Sequence, residues 1–303
     1  MPPVLMTLRR NRDILYDMNR KEKKPNISII TVCLNPGKSI IKTVESVLAQ
    51  DYSDYEYIIK DGGSSDGTLD RLNKYREQFR ERGIDLKVVS EKDGGLYDAM
   101  NRGVAMATGN WVNFMNAGDC FYSSSVLTDI FSKSNYPGAA ILYGDAVECE
   151  YGRYYMFRKA FDKIEERMPF SHQSAFINRE LMSRYPYKTG YRIGADYDFL
   201  LSMYKKGFFF RDTGVITCII SKDGVSSLKL YDTYMETLKI KNSHGLSGPT
   251  AAELTVMIRQ MKLKQFVMDH FPDFIKKMIR GFQLKVRKQN ARLTIPEWEK
   301  AKL

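Results

Sequence analysis

Four stretches of the chain carry residue types able to do chemistry, two of them just past a hydrophobic run. "KDGGSSDGT" puts Asp61 before two glycines. A carboxylate there can accept the imide N–H of a pyrimidine base, and glycines let a ligand approach the backbone closely. The same residues also make an ordinary turn and helix cap. "FMNAGDCF" ends a hydrophobic run on Asn116, two small residues and Asp119. One carboxylate can suffice for Mg2+ or Mn2+ bridging a diphosphate, because phosphate oxygens and water fill the other positions. Read alone, Asp119 is equally a strand cap. "GADYDF" sets Asp196 and Asp198 at a helix start, where the helix dipole favours carboxylates. Either is a first-turn acid or, if it faces a cleft, a general base toward a hydroxyl. His172, one of three histidines, is a candidate metal ligand or acceptor contact, or else a rim residue of the core.

These groups need a scaffold that gathers loops. From residue 27 the sequence alternates strand and helix. "ISIITVCL" is a β-branched run closed by "NPG", and the helical stretch after it puts Ile40, Ile41, Val44, Val47 and Leu48 on one face. "YEYIIK" (55–60), "IDLKVVS" (84–90) and "NWVNFM" (110–115) read as further strands, separated by helices over 69–75 and 95–107, the latter despite Gly103. Ser65 or Asp66 is placed to cap the first of these helices. The alternation predicts a parallel, right-handed sheet flanked by helices, in which ligands bind beyond the carboxyl ends of the strands. The loops starting at Asn35, Asp61, Glu91 and Asn116 are therefore the ones to inspect. Strands are expected over 139–146, 152–161 and 172–177, and an amphipathic helix over 194–207. No strand pattern persists past about residue 225. The stretch 272–288 opens with Pro at a helix start and lines Phe274, Ile275, Met278, Ile279 and Phe282 along one face.

With 43% hydrophobic and 12% aromatic residues in 303, a packed core is assured and disorder excluded. The net charge of +11 sits at the two ends: residues 1–24 contribute +4 and residues 251–303 contribute +7. The body is neutral in sum, which excludes a basic nucleic-acid binder. Cys33, Cys120, Cys149 and Cys218 form no C-x-x-C pair, so neither a zinc site nor a disulfide framework is expected. The chain shows no signal-peptide core and no run near the roughly 20 apolar residues that span a bilayer. A reduced, cytoplasmic protein is expected, free or lying on a membrane.

Taken in order, these motifs resemble the family 2 inverting glycosyltransferases of the GT-A fold. "ISIITVCLNPGKSIIKTVESVLAQDYSDYEYIIKDGGSSDGT" is similar to that family's opening, and "SEKDGGLYDAMNRGVAMATGNWVNFMNAGD" to the stretch that follows in bacterial O-antigen, capsule and exopolysaccharide enzymes; "HQSAFINREL" and "GADYDFLL" complete the set. The resemblance covers about residues 26–210. It implies an α/β fold, a Rossmann-like, mainly parallel sheet flanked by helices, with a C-terminal helical extension. The implied division is a basic N-terminal extension (1–25), a GT-A domain (26–224) and a basic amphipathic helical region (225–303).

The resemblance further implies that Thr31, Asn35, Asp61, Asp93 and Asn116 bind the nucleotide of a UDP-type sugar donor. Asp119, with His172 as a second candidate, would hold Mg2+ or Mn2+. His172 and Gln173 would face the acceptor. Asp196 would be the base, with Asp198 in reserve. The family's Asp-x-Asp-Asp stands here as Asn116-Ala117-Gly118-Asp119, and the Glu before the catalytic Asp is Ala195. The implied reaction moves a sugar with inversion onto a hydroxyl of an undecaprenyl-diphosphate type lipid-linked saccharide, in surface polysaccharide biosynthesis at the inner face of the cytoplasmic membrane. The basic C-terminus would meet that anionic surface, or form a helical subdomain or oligomer contact. A sugar-nucleotide nucleotidyltransferase would want a glycine-rich basic signature after the first strand, and "NPGKSI" is a poor one. A catalytically silent scaffold of the same fold is the third reading.

Overall fold

The computed structural model describes residues 27–133, 135–150, 153–221 and 229–272, together with 274, 275 and 278. The N-terminal extension, and the 272–288 stretch apart from Pro272, Phe274, Ile275 and Met278, lie outside the described residues.

The first strand, β1 (Ile27–Cys33), shows why the sheet forms. Its odd-numbered Ile27 and Ile29 and its even-numbered Ile30 and Val32 enter two different apolar clusters, as the two-residue period of a strand requires. A strand covered on both faces belongs in the middle of a parallel sheet. Accordingly β1 pairs in parallel with β2 (Tyr55–Asp61) on one side and β4 (Trp111–Phe114) on the other, and β3 (Leu86–Ser90) extends the sheet beyond β2. Helix α1 (Ser39–Leu48) covers one face. The short helices α2 (Thr68–Asn73) and α3 (Arg76–Glu81) join β2 to β3, with Asp66 accepting from the Thr68 N–H to start α2. Helix α4 (Leu96–Met106) covers the other face. Gly103 is required there: a Cβ at that position would lie 2.6 Å from Ile30 Cγ2, so the glycine lets α4 press against β1.

The second half turns the sheet mixed. Beyond β4 come β8 (Ala175–Asn178), β6 (Ile141–Glu150), β9 (Phe210–Ser221) and β5 (Cys120–Phe121), with β7 (Arg153–Phe157) a hairpin partner of β6. Only β6 and β9 pair in parallel in this half. Helices α5 (Val126–Phe131), α6 (Arg179–Arg184), α7 (Ala195–Lys205) and α8 (Leu230–Ser243) pack around it, and Ile240 of α8 is fully buried in the same cluster as α4 and α7. The last described helix, α9 (Ala251–His270), leaves Val256, Leu263 and Phe266 exposed. No helix among the described residues is long and apolar enough to cross a membrane.

The strand expected over 172–177 is corrected in a way that matters. His172–Ser174 is a single 3-10 turn, closed by the Ser174 N–H on the Ser171 carbonyl at 3.0 Å, and only Ala175–Asn178 is strand. A strand would have sent His172 and Gln173 to opposite faces. The turn brings both to the carboxyl end of β4.

Candidate active site

The cleft lies where the sheet changes from parallel to antiparallel. On its central wall the residues after β4 make a tight turn, with Asp119 N–H donating to the Asn116 carbonyl at 3.0 Å. Thr43 of α1 pins that turn: its hydroxyl donates to the Asp119 carbonyl at 2.7 Å and accepts from the Gly118 N–H at 2.9 Å. Gly118 has φ +95°, a left-handed conformation that explains a glycine between two functional residues.

A hydrogen-bonded chain crosses the cleft from this turn to α7. Asn116 Nδ2 lies 3.1 Å from His172 Nε2, and His172 Nδ1 lies 3.1 Å from Asp196 Oδ2. With the neutral ring protonated on Nδ1, His172 donates to the Asp196 carboxylate and accepts from the Asn116 amide. Asp196 Oδ1 accepts from the Tyr197 N–H at 2.9 Å and the Tyr97 hydroxyl at 3.0 Å. Burial and the adjacent Asp196 carboxylate push the Tyr97 phenol well up, so it stays a donor. Asp196 is therefore met by three donor groups, the His172 ring, the Tyr197 N–H and a Tyr97 hydroxyl whose single proton is shared with the Ile193 carbonyl, and Oδ2 retains a free acceptor direction.

Asp119 is 6% exposed. Its Oδ1 accepts from the Ser221 N–H at 2.9 Å, and its Oδ2 from Gln173 Nε2 at 2.7 Å. Ser171 donates in turn to the Gln173 carbonyl oxygen. Burial pushes the Asp119 carboxyl up to about 6, partly offset by those two N–H groups and by nearby His172 and Lys42.

The geometry tests the cation set. Asn116 Oδ1 is buried with no hydrogen-bond partner, and each Asp119 oxygen has a lone pair beyond the N–H it accepts. Both are hard oxygen donors, suited to Mg2+ or Mn2+. Among the described residues no group of three or more His, Cys, Asp or Glu side chains could hold a metal ion. These two residues fit a cation that arrives with most of its coordination supplied by phosphate and water, not a dedicated protein cage. Both ring nitrogens of His172 are engaged, by Asn116 and by Asp196, so Asp119 and Asn116 are the better-placed pair for a cation.

Three other expectations are corrected. Thr31 is fully buried; its hydroxyl donates to the Met115 carbonyl at 2.7 Å and meets the Tyr57 hydroxyl at 2.8 Å, so it braces β1 against β2 and β4. Asp61 is also fully buried, and its carboxylate accepts from the Gly63 and Ser64 N–H groups, the Ser64 and Ser90 hydroxyls and the Cys33 thiol. Burial pushes Asp61 up, but those donors outweigh it and hold the carboxyl below its usual range. Its loop backbone, not its carboxylate, is what faces outward. Asp198, the reserve base, is 2% exposed and paired with Lys188 and His244, each at 3.0 Å.

Gln173, expected on the acceptor side, spends its amide on Asp119. Asn35 and Asp93 remain at the mouth. Asn35, at φ 48°, takes the Ser65 N–H on Oδ1 at 2.9 Å and donates its own N–H to Ser64 Oγ at 2.7 Å. Asp93 accepts from the Gly95 N–H at 3.0 Å and sits beside Gly62, where a Cβ would lie 3.1 Å from Asp93 Oδ2. The thiol of Cys33 is pushed far up by burial and by Asp61, which removes it as a nucleophile.

Lys60 and Tyr97 escaped the sequence reading. Lys60 is fully enclosed and donates to the Asp61 and Glu91 carbonyls at 2.8 and 2.6 Å, tying together the loops after β2 and β3. Its signal was a lysine between the apolar pair Ile58–Ile59 and Asp61 in a strand whose every residue is buried. Tyr97 had none beyond its place in the first turn after "DGG".

Comparisons with known proteins agree with this architecture. The family model described as Glycosyl transferase family 2 matches residues 28–200. A PGL/p-HBAD biosynthesis glycosyltransferase of Mycobacterium bovis is 34% identical over 178 residues, covering 58% of this chain and 68% of the relative. The uncharacterized glycosyltransferase EpsJ of Bacillus subtilis is 24% identical over 294 residues, covering 84% of this chain and 83% of the relative. Among solved structures, TarS 1–349 of S. aureus in complex with UDP superposes with TM-score 0.55 at 19% identity over 71% of this chain; the chain spans 64% of that one's length. The mannosyltransferase PcManGT of Pyrobaculum calidifontis, in complex with GDP-Man and Mn2+, gives 0.56 at 16% identity, covering 84% of this chain and 76% of that one. With the family match spanning more than half of the sequence, the chain belongs to glycosyl transferase family 2 and is a glycosyltransferase on a GT-A-like α/β fold.

Proposed function

We propose that this glycosyltransferase moves a sugar, with inversion at its anomeric carbon, from a UDP-linked donor to a hydroxyl of a lipid-linked saccharide in bacterial surface polysaccharide biosynthesis. The observation that carries the reading is the chain from Asn116 through His172 to Asp196, which holds one half-buried carboxylate, fixed by three donors, across the cleft from the Asp119 turn.

Asp196 takes the proton of the acceptor hydroxyl at the free direction of Oδ2 as that oxygen attacks the anomeric carbon from the face opposite the diphosphate. The donors on Asp196 keep it aimed, so little reorganisation remains at the moment of transfer. One displacement needs no nucleophilic side chain, in keeping with the inert Cys33. Asp119 and Asn116 Oδ1 would hold a divalent cation, Mg2+ or Mn2+, which supplies charge neutralisation at the leaving diphosphate when bound. Asn35 and Asp93 line the nucleotide end of the cleft, together with the Gly62–Ser64 backbone.

The surface of this protein supports a membrane-side acceptor. Val256, Leu263 and Phe266 are exposed on α9, and residues 251–303 carry a net +7. A basic stretch of sequence beside exposed apolar side chains suits an anionic bilayer, at about 1 kcal/mol per Lys or Arg near it. We take residues 26–224 as the transferase domain and 225–303 as the region that approaches the lipid, at the cytoplasmic face.

The test is UDP release from a panel of UDP-linked hexoses, with an undecaprenyl-diphosphate monosaccharide and Mg2+ or Mn2+. The wild type turns over at least one donor, and Asp196→Asn loses about 10²- to 10⁴-fold in turnover. Unchanged turnover in Asp196→Asn would remove the assignment.

A further inference from the structure

Three successive backbone N–H groups at the entrance to α7 converge on one carboxylate from another element. Glu236 of α8 accepts from the Arg192 N–H on Oε1 at 2.8 Å, and from the Ile193 and Gly194 N–H groups on Oε2 at 2.8 and 2.9 Å. Amides at a helix start have no acceptor within their own helix, and the positive end of the dipole favours a carboxylate there. One turn further along α8, Ile240 packs so closely that a Cβ on Gly194 would lie 2.8 Å from its Cδ1. Just past the end of α8, His244 Nε2 reaches Asp198 Oδ1 at 3.0 Å. Helix α8 thus grips the first turn of α7 at two points, either side of Asp196.

We infer that Glu236 is a positioning residue for glycosyl transfer, acting on the base through the Arg192–Gly194 backbone; this rests on the reading of Asp196 as the base. The same segment is held from the opposite side by the Tyr97 hydroxyl, which donates to the Ile193 carbonyl and also reaches Asp196 Oδ1. Asp196 therefore sits on a backbone clamped between α4 and α8. The carboxylate has one free acceptor direction, and its aim depends on where α7 begins. Without Glu236, three N–H groups lose their acceptor and turn to water, and the first turn of α7 frays with Asp196 on it. Glu236 itself bonds to the Arg192–Gly194 amides, outside the parallel half of the sheet, which contributes only Tyr97 to the clamp. The loss should therefore fall on turnover and not on donor binding. It also makes α8, outside the stretch matched by the family model, part of the catalytic apparatus.

The experiment compares Glu236→Ala and Glu236→Gln with the full-length wild type, in UDP release from the UDP-hexose that the panel identifies. Leu246→Ala, a truncation in a side chain packed against the same core cluster, serves as the stability control. Glu236→Ala should lose about tenfold to a hundredfold in kcat with the donor KM within about twofold. Glu236→Gln, which keeps one oxygen for the Ile193 and Gly194 amides but puts an NH2 against Arg192, should fall between Ala and wild type. Leu246→Ala should lower Tm while the folded enzyme keeps its kcat. The inference is overturned if both Glu236 variants keep wild-type kcat while Asp196→Asn is inactive, or if kcat simply follows Tm across all three variants. If Asp196→Asn itself turns over normally, the reading of the base falls and the inference falls with it.

Discussion

Asp61 is the last residue of β2 and Asp119 lies in the turn after β4, the two strands that flank β1, and their surroundings drive them in opposite directions. Asp61 gathers donors from its own loop, from Ser90 and from Cys33, and is held below the usual carboxylate range. Asp119 is as deeply enclosed but has two N–H donors, and burial pushes it up to about 6. Burial alone therefore does not say which carboxylate does chemistry. The ratio of donors to burial does: a saturated carboxylate is a fastening, and an undersatisfied one keeps capacity for an incoming positive charge.

The strongest test of that contrast is Asp119→Asn. Turnover should fall by about 10²- to 10³-fold, while stability at neutral pH should rise. The folded carboxyl lies above its ordinary value of 3.8, so its contribution to stability is intact below about pH 4 and is lost as the pH rises through about 6. Two units correspond to about 3 kcal/mol, less about 1 kcal/mol for the N–H that would then face an amide NH2. Urea unfolding at pH 4.5 and pH 7.5 measures this; a stability difference from wild type that does not grow between the two would refute the account of Asp119.

Asp61→Ala should do the reverse. It strips the acceptor from five donors and should cost about 3 kcal/mol of stability, while the folded fraction keeps turnover within about tenfold of wild type. Because its folded value is depressed, the stability Asp61 confers is present above its unfolded value and is lost as the pH falls through the folded one. The gap between Asp61→Ala and wild type should therefore close in acid, as that of Asp119→Asn does, but with the opposite sign, wild type being the more stable protein at neutral pH. Turnover falling as far as in Asp119→Asn, in protein shown to be folded, would make Asp61 a ligand-binding group after all.

The contrast was not legible in the sequence, and the reason is where the donors come from. The β-branched runs at 27–34 and 55–60 announce buried parallel strands, and "GADYDF" announces acids at a helix start, because those signals are local. Asp61 and Asp119 each look like an acid in a turn. What separates them is Ser90, Cys33, Gln173 and Ser221, which arrive from other strands and loops. His172 was misread in a related way: "HQSAFI" has strand composition, but Ser171 closes a turn that aims His172 and Gln173 into one cleft. Glu236 lies 42 to 44 residues past the amides it holds, with nothing local in "YMETLKI" to mark it.

His172→Gln probes the link between the two sides of the cleft. A glutamine can still donate to Asp196 but cannot also accept from Asn116 along a rigid ring. Turnover should fall about tenfold, with the donor KM little changed and with a smaller loss than Asp196→Asn. A loss equal to that of Asp196→Asn would make the imidazole itself the proton acceptor.

The smallest effect is expected from Asn116→Asp, and its sign carries the information. Asn116 Oδ1 is a buried oxygen that no donor among the described residues satisfies, while Nδ2 faces His172. Substituting a carboxylate gives the cation a second charged oxygen, so the Mn2+ concentration for half-maximal UDP release should fall by about three- to tenfold. The substitution also removes the amide that donates to His172 Nε2. The ring must then take a second proton to bridge two carboxylates, which leaves Asp196 paired with an imidazolium and less basic. Turnover at saturating Mn2+ should consequently drop by a few fold even as the cation binds more tightly. Tighter cation binding without that drop would mean that the chain from Asn116 to Asp196 does not couple the two sides; a drop with no change in Mn2+ dependence would mean that the unpartnered oxygen of Asn116 is not a cation ligand.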